Sequence, residues 1–269
     1  NYMSKGRVTI PTDKNYVDGT KEIAKLWGAD AVRDCDGTEL PDHPEEIAPK
    51  VYKTYFLARG NNAWAYAHDE ALQNAALISE RVLAVKKHVE INPLQGYSSE
   101  QLRLNEKEES LKRWKVIDRT SGKECEWKFD GKQKKVIIEN AEYMHEYTVS
   151  FFAEIIWDAT QIYNYTTNGW TCEKDRDIDP IYPAAEELME KDLEKWLIEN
   201  PQINVIRFTT FFYHFFLIHA DASKNLRQKY FDWFGYAMTA SPSMFDLFEK
   251  TYGYEISIED IVDEGYYMN

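Results

Sequence analysis

The chain has 269 residues, of which 43% are hydrophobic, 14% aromatic and 29% charged, and its formal net charge is −14. Disorder over most of the chain is excluded, because disordered chains are poor in the aromatic and aliphatic residues that build a core. The acidic excess argues against nucleic acid as a partner, since binding a phosphate backbone needs clustered Lys and Arg.

The first predicted elements in chain order are a strand, a helix and a second strand. Residues 7–10 and 29–33 favour short strands, and residues 20–27 between them favour a helix that ends at Gly28. Gly37 then signals a turn. A compact strand–helix–strand unit of this kind predicts parallel strand pairing.

The middle of the chain changes character twice. Residues 47–84 are predicted to be helical from apolar residues at three- and four-residue steps. Residues 112–139 contain aromatic and β-branched runs separated by Ser-Gly and Asp-Gly, which predicts a small antiparallel meander inserted in an α/β domain. Residues 147–157 are almost continuously apolar, as in a strand that is buried on both faces.

The last third is predicted to alternate helices with a strand. Helices are expected at residues 183–200, 221–234 and 241–252, and a strand at residues 204–208. Ser241 is the expected N-cap of the last helix. This order favours a (β/α) barrel over a sandwich, with a doubly wound sheet as the alternative, and no glycine-rich nucleotide loop follows a predicted strand.

Polar residues after the predicted strands are the first candidates for a site, because barrels place their ligand-handling residues at the carboxyl ends of strands. Arg33 and Asp36 follow the second strand, Asp158 and Asn164 follow the apolar strand, and Arg207 lies in the strand at 204–208. Arginines bind phosphate through charge-assisted hydrogen bonds, and carboxylates and amides suit sugar hydroxyls. The combination favours an enzyme of phosphorylated or phosphate-using sugars.

Plainer interpretations stay open for the same residues. An arginine beside a strand end is more often a structural ion-pair partner than an anion ligand. The Asp-Cys-Asp run at residues 34–36 admits a metal site, but no further ligand cluster accompanies it, so a turn with one functional carboxylate is expected instead.

The cysteines and the apolar runs bear on location. Cys35, Cys125 and Cys172 are far apart and form no Cys-x-x-Cys pair, which is typical of reduced thiols. The first seven residues do not resemble a signal peptide, and the longest apolar runs are too short or too polar to cross a bilayer. We therefore expect a cytoplasmic protein without a membrane partner.

Several blocks of the sequence, spread over nearly its whole length, resemble one family. The blocks are residues 6–11 (GRVTIP), 26–38 (LWGADAVRDCDGT), 145–151 (HEYTVSF), 205–212 (VIRFTTFF) and 232–235 (DWFG). They are similar to the 1,3-β-galactosyl-N-acetylhexosamine phosphorylases, also called galacto-N-biose/lacto-N-biose phosphorylases, of glycoside hydrolase family 112.

The resemblance implies a (β/α)8 TIM-type barrel that cleaves a terminal β-galactoside with inorganic phosphate. The products would be α-galactose 1-phosphate and a free acceptor sugar, with inversion at the anomeric carbon. It implies no cofactor and no metal, because phosphate is itself the second substrate. The implied partners are the disaccharide and phosphate, and the full-length protein is expected to be a homodimer.

The resemblance also implies roles for residues that match the family's motifs. The implied phosphate or galactose contacts are Arg33, Asp36 and Arg207. The implied acceptor-sugar pocket contains Thr160, Asn164, Trp233 and Tyr236.

Two of those pocket residues depart from the family pattern. Thr160 stands where some members have Val, and Tyr236 stands where some have a small residue. A bulky Tyr changes which hydroxyl epimer fits, so the acceptor stays open between N-acetylgalactosamine, N-acetylglucosamine and L-rhamnose, with galacto-N-biose favoured.

The family's general acid is an Asp in a later block that does not occur here. We therefore expect residues 1–269 to be the N-terminal portion of the catalytic barrel, with the meander at 112–139 as an insertion and with the acid after Asn269. No catalytic residue is assigned within the chain. Two alternatives stay open: a non-catalytic sugar-binding module, and a glycosidase that uses water instead of phosphate.

Overall fold

The computed structural model describes residues 7–35, 37–56, 60–158, 161–162, 165, 169–209 and 240–262. The chain divides into two compact units. The first unit comprises residues 1–58 and 183–211, and the second comprises residues 59–182 and 212–269. In sequence, the second unit therefore interrupts the first.

The elements follow in chain order. The first unit begins with β1 (Thr9–Pro11), α1 (Val17–Trp27), β2 (Ala31–Arg33), a 3-10 turn (Pro44–Glu46) and β3 (Lys50–Phe56). The second unit contains α2 (Asn62–Ala67), a 3-10 turn (Asp69–Ala71), β4 (Asn74–Ile78), β5 (Val82–Leu83), β6 (Val89–Ile91), β7 (Leu102–Leu104), α3 (Glu108–Leu111), β8 (Lys115–Asp118), β9 (Lys123–Glu124), β10 (Lys128–Asp130), β11 (Lys135–Ile138) and β12 (Glu146–Ile155). The first unit resumes with α4 (Pro183–Glu199) and β13 (Val205–Thr209), and the second unit ends with α5 (Pro242–Tyr252) and a 3-10 turn (Ile258–Asp260).

The first unit is built on a parallel sheet with the strand order β1-β2-β3-β13. Val32 pairs with Val51, and both side chains are fully buried in a small apolar core together with Ala48. Successive side chains of a strand point to opposite faces. The neighbours of these valines, among them Arg33 and Tyr52, therefore lie on the other face of the sheet.

Helix α1 confirms the predicted strand–helix–strand unit, and Gly28 ends it in the left-handed conformation with φ of 64°. Its apolar residues Ile23, Leu26 and Trp27 are 43%, 80% and 63% exposed, whereas Thr20 and Ala24 are buried. Small side chains allow a helix to approach a sheet closely, so the buried face of α1 is the one with the smaller residues.

The prediction of a helical region at residues 47–84 is wrong. Among the described residues of this range, only Asn62–Ala67 is α-helical, while Lys50–Phe56, Asn74–Ile78 and Val82–Leu83 are strands. Lys50–Phe56 is rich in β-branched and aromatic residues, which fit a pleated surface. Its partners β2 and β13 supply the pairing that overrides the apolar spacing.

The second unit contains two antiparallel sheets. In the larger, six-stranded sheet, β12 pairs with β4, β5, β7 and β8. The smaller sheet has the order β10-β11-β6. The predicted antiparallel structure at residues 112–139 is present as two hairpins, β8–β9 and β10–β11, but the hairpins belong to different sheets and do not form one meander.

The apolar strand at residues 147–157 is present as β12, and nine of its ten residues are buried. Its place in the fold differs from the prediction, because it is the centre of an antiparallel sheet and not a strand of the parallel one. A continuous apolar run indicates burial on both faces, and a strand can be buried on both faces in an antiparallel sheet as well as in a parallel one.

Aromatic side chains form much of the core of the second unit. Trp114 and Phe151 are buried with their ring centroids 5.7 Å apart, and Phe152 lies 5.1 Å from Phe245 in an edge-to-face arrangement. Such contacts add stability beyond the area they bury. Much of the aromatic excess of the sequence thus serves packing in this unit.

The predicted elements of the last third are confirmed where the structure describes them. Helix α4, strand β13 and helix α5 lie at the predicted places, and the Ser241 hydroxyl accepts a hydrogen bond from the amide of Met244 as an N-cap should. The helix predicted at 221–234 lies outside the described residues. None of the helices in the described part of the chain combines the length and apolar character that a membrane crossing requires.

Candidate active site

Two arginines lie in the parallel strands, one at the carboxyl end of β2 and one in the middle of β13. Arg33 is the last residue of β2 and pairs with Tyr52 of β3, while Arg207 of β13 pairs with Thr54 of β3. Tyr52 and Thr54 are two residues apart on one strand, so all four side chains lie on the same face of the sheet. This face is opposite to the one that carries the buried valines.

Both arginines bind the backbone carbonyl of Asp34. The Nη1 atom of Arg33 donates to the Asp34 oxygen at 3.1 Å, and Nη1 of Arg207 donates to the same oxygen at 3.2 Å. Nη1 of Arg207 also lies 3.8 Å from Oδ1 of Asp34. The two guanidinium groups are therefore neighbours, although 174 positions separate the residues in the sequence.

The carboxylate of Asp34 is bound by Thr54 of β3, the strand between β2 and β13. Thr54 donates its amide to both carboxylate oxygens, at 3.0 and 2.9 Å, and its hydroxyl to Oδ1 at 2.8 Å. Strand β2 ends at Arg33, so the Asp34 side chain takes the place of a further backbone acceptor beside β3. Asp34 thus joins the ends of β2, β3 and β13.

The loop after β2 is a tight turn. The Thr38 hydroxyl accepts a hydrogen bond from the amide of Cys35 at 2.8 Å and donates to its carbonyl at 2.9 Å. Gly37 has φ of 73°, a left-handed conformation that favours glycine, which confirms the predicted turn. Glycine and threonine of the Asp-Gly-Thr block therefore shape the loop.

This arrangement suits a small anion. Each guanidinium has five N–H donors in a planar fork, and two neighbouring guanidinium groups match the oxygens of a phosphate. Of the two arginines, Arg207 has a side chain that is 41% exposed, so solvent and ligands can reach it. The Asp34 carboxylate reduces the repulsion between the two cations without neutralising both.

Asp158 does not follow a strand of the parallel sheet, contrary to the prediction made from a barrel order of strands. Strand β12, which precedes it, belongs to the antiparallel sheet. Asp158 is buried and its Oδ1 accepts a hydrogen bond from the amide of Gln161 at 2.8 Å. The described contacts give it a structural role in the turn that follows β12.

The remaining predicted site residues lie outside the described residues. These are Asp36, Thr160, Asn164, Trp233 and Tyr236. Among the residues that the structure does describe, no group of three or more His, Cys, Asp or Glu side chains is placed to hold a metal ion. The site that can be built from the structure therefore consists of Arg33, Asp34, Thr54 and Arg207.

Sequence reasoning misses two members of this site. The sequence points to Asp34 only as part of a metal pattern, and Thr54 falls in a region that its apolar spacing predicts to be helical. The β-branched and aromatic content of residues 51–56 is the signal that could have identified β3 and placed Thr54 beside Asp34.

Comparison with known proteins identifies the family of the chain. Residues 6–269 match the family model of the lacto-N-biose phosphorylase N-terminal TIM barrel domain. The chain belongs to this family. The matched domain establishes the TIM-barrel class over a doubly wound sheet. In such barrels the active site lies at the carboxyl ends of the strands, the end at which β2 finishes with Arg33.

Individual relatives of this lacto-N-biose phosphorylase domain are sugar phosphorylases. The chain is 40% identical to a 1,3-β-galactosyl-N-acetylhexosamine phosphorylase of Lachnoclostridium phytofermentans and 40% identical to one of Bifidobacterium longum subsp. longum, in each case over 98% of the chain. It is 36% identical, also over 98% of the chain, to a D-galactosyl-β-1→4-L-rhamnose phosphorylase of L. phytofermentans. The chain spans only 35–37% of the length of these relatives.

Proposed function

We propose that the full-length protein catalyses the inverting phosphorolysis of β-galactosyl-1,3-N-acetylhexosamines, with galacto-N-biose as the favoured substrate. The observation that carries the proposal is the convergence of Arg33 and Arg207 on one carbonyl oxygen, that of Asp34, directly after the carboxyl end of β2. A phosphorolytic enzyme needs such a pair, because the nucleophile is a dianion that must be held in line with the bond to be broken.

In the proposed reaction, a phosphate oxygen attacks the anomeric carbon of galactose from the face opposite the acceptor sugar. The new carbon–oxygen bond forms as the glycosidic bond breaks, and a carboxylic acid gives its proton to the leaving oxygen. The products are α-galactose 1-phosphate and the free N-acetylhexosamine. We propose that Arg33 and Arg207 bind the phosphate, that Asp36 binds a galactose hydroxyl, and that the acid is an Asp outside this chain.

The acceptor sugar is proposed to contact Thr160, Asn164, Trp233 and Tyr236. An alternative substrate is β-galactosyl-1,4-L-rhamnose, and the 36% identity to a phosphorylase named for that disaccharide favours keeping it. Both substrates carry the same galactosyl group, so the arginines serve either reaction in the same way. The two are separated by the acceptor alone.

The test is to incubate the full-length protein with phosphate and either galacto-N-biose, lacto-N-biose or galactosyl-rhamnose, and to measure galactose 1-phosphate. Formation from at least one disaccharide supports the proposal. Its absence with all three refutes it, and release of galactose without phosphate would instead indicate a glycosidase.

The site assignment has its own test in Arg207→Ala, which should lower turnover by at least about 100-fold, on the order of the loss seen when a charge-stabilising donor is removed. Arg81→Ala is the matched control, because Arg81 is similarly exposed, at 45%, but forms an ion pair with Glu146 in the second unit. Turnover in Arg207→Ala equal to that of the control would remove Arg207 from the site.

We further propose that the protein is cytoplasmic and that its full-length form is a homodimer. All three cysteines are free thiols, which supports a reducing compartment. Cell fractionation tests the location, and sedimentation of the full-length protein tests the dimer.

A further inference from the structure

We propose that Asp34 is a positioning residue that orients both arginines for phosphate and that Thr54 holds it in place; this rests on the proposed phosphorolysis. Neither residue need touch a substrate. Their role follows from the hydrogen bonds that link Arg33, Arg207 and the middle strand of the sheet.

The guanidinium groups of Arg33 and Arg207 are neighbours that need a common partner. Two like charges that lie close together repel each other, and long arginine side chains lose conformational freedom when they are fixed. The Asp34 carbonyl accepts one hydrogen bond from each of them, and its carboxylate lies 3.8 Å from Nη1 of Arg207. One residue thus provides a common acceptor and a counter-charge for both cations.

The backbone carbonyl of Asp34 must point in a fixed direction to accept hydrogen bonds from two donors. Asp34 comes directly after the last paired residue of β2, where a chain is free to turn away from the sheet. Its carboxylate is bound by the Thr54 amide and hydroxyl at 2.8–3.0 Å, and the side chain is only 14% exposed. These three hydrogen bonds fix the peptide group that carries the carbonyl.

The orientation of the two arginines affects the affinity for phosphate. If the arginines are oriented before phosphate binds, less conformational freedom is lost on binding and the affinity is higher. Removing the Thr54 hydroxyl or the Asp34 carboxylate should therefore weaken phosphate binding selectively. The binding of the disaccharide should change much less, since its sugar contacts are assigned to other residues.

The experiment measures KM for phosphate, KM for the disaccharide and kcat in the full-length enzyme. The variants are Asp34→Ala, which removes the carboxylate, Thr54→Val, which removes the hydroxyl at nearly constant volume, and Thr54→Ser, which restores it. Thr120→Val in the second unit is the control for loss of a threonine hydroxyl, because the Thr120 hydroxyl accepts a hydrogen bond from the amide of Glu146 at 3.0 Å, whereas that of Thr54 donates to Asp34.

We expect KM for phosphate to rise about tenfold in Asp34→Ala and Thr54→Val, as loss of one charged hydrogen bond would produce. KM for the disaccharide should stay within about twofold by the same reasoning, and Thr54→Ser and Thr120→Val should behave as the wild type. An unchanged KM for phosphate in folded Thr54→Val or Asp34→Ala overturns the proposal, as does an equal rise in both KM values.

The outcome is separable from that of the proposed function. A wild-type enzyme that forms no galactose 1-phosphate refutes the phosphorolysis before any variant is compared. Titration calorimetry with inorganic phosphate then provides a readout that does not need turnover: Thr54→Val should bind phosphate about tenfold more weakly than Thr54→Ser. Equal affinities of the two variants overturn the positioning role.

Discussion

Replacing Glu154 by Gln should destabilise the second unit, because Glu154 is a buried carboxylate near the carboxyl end of its central strand, β12. The side chain is 4% exposed and accepts hydrogen bonds from Nε of Arg103 at 2.7 Å and from Nζ of Lys107 at 2.9 Å. Arg103 also donates to Asp69 at 2.6 Å. A buried carboxylate of this kind is stable only while its cationic partners remain.

The size of the effect follows from which partner is lost. A carboxamide keeps one acceptor oxygen, and Arg103 retains Asp69, so Lys107 is the cation that loses its acceptor. Breaking a fully buried ion pair costs about 3–5 kcal/mol. Lys107 is 36% exposed and can recover hydration. A loss of about 2 kcal/mol is therefore expected, as for one charged hydrogen bond.

For a unit of this size, about 2 kcal/mol lowers the midpoint of thermal unfolding by about 4–8 °C. Differential scanning calorimetry of the full-length protein measures it. The control is Glu187→Gln, the same substitution in an ion pair with Lys191 at 2.6 Å whose side chains are 68% and 67% exposed. Exposed pairs of this kind contribute under about 1 kcal/mol. Equal midpoints for the two variants would refute the reasoning.

Two further predictions concern stability. Burial alone would raise the pKa of Asp118, but hydrogen bonds from Ser121 and His145 outweigh it and lower the pKa from 3.8 to about 2. Asp118 thus stabilises the fold above pH 3.8 and loses this effect as the pH falls towards 2. The difference in unfolding free energy between wild type and Asp118→Asn, on the order of 2 kcal/mol at neutral pH, should therefore shrink over that range in urea titrations. A constant difference would contradict this. Gly28→Ala should destabilise the fold by about 1 kcal/mol because φ there is 64°. Gly19→Ala, in the first turn of α1, should stabilise it by up to about 1 kcal/mol, because no described atom outside its chain neighbours and the backbone of α1 lies within 4 Å of the added carbon. Matching unfolding midpoints for the two glycine variants would contradict the opposite signs expected of them.

The elements that the sequence predicts correctly are those defined by local chemistry. Helix α1 ends at a glycine with positive φ, helix α5 begins at a serine that caps it, and the hairpins at 112–139 turn at Ser-Gly and Asp-Gly. Each of these depends on residues within a few positions of one another. The strands that carry Arg33 and Arg207 are recognised in the same local way, whereas the role of the two arginines stays a proposal.

The elements that the sequence predicts wrongly depend on distant partners. Strand β12 is apolar whether its neighbours run parallel or antiparallel, so its composition could not assign it to a sheet. Strand β3 has apolar residues at spacings that also fit a helix, and only its pairing with β2 and β13 decides between them. Thr54 in β3 therefore cannot be recognised as a site residue until the pairing is known.

This explains why the sequence proposes the two arginines as ligands but not Asp34 as the residue that we propose orients them. An arginine is a candidate anion ligand wherever it occurs, since its charge and donors travel with it. Asp34 acquires its role only from Thr54, 20 positions away, and from Arg207, 173 positions away. Groups that bind a substrate can be recognised by residue type, whereas groups that position them are defined by the contacts that the fold creates. Positioning residues are therefore found among the residues that pair, in the strand register, next to a substrate-binding side chain.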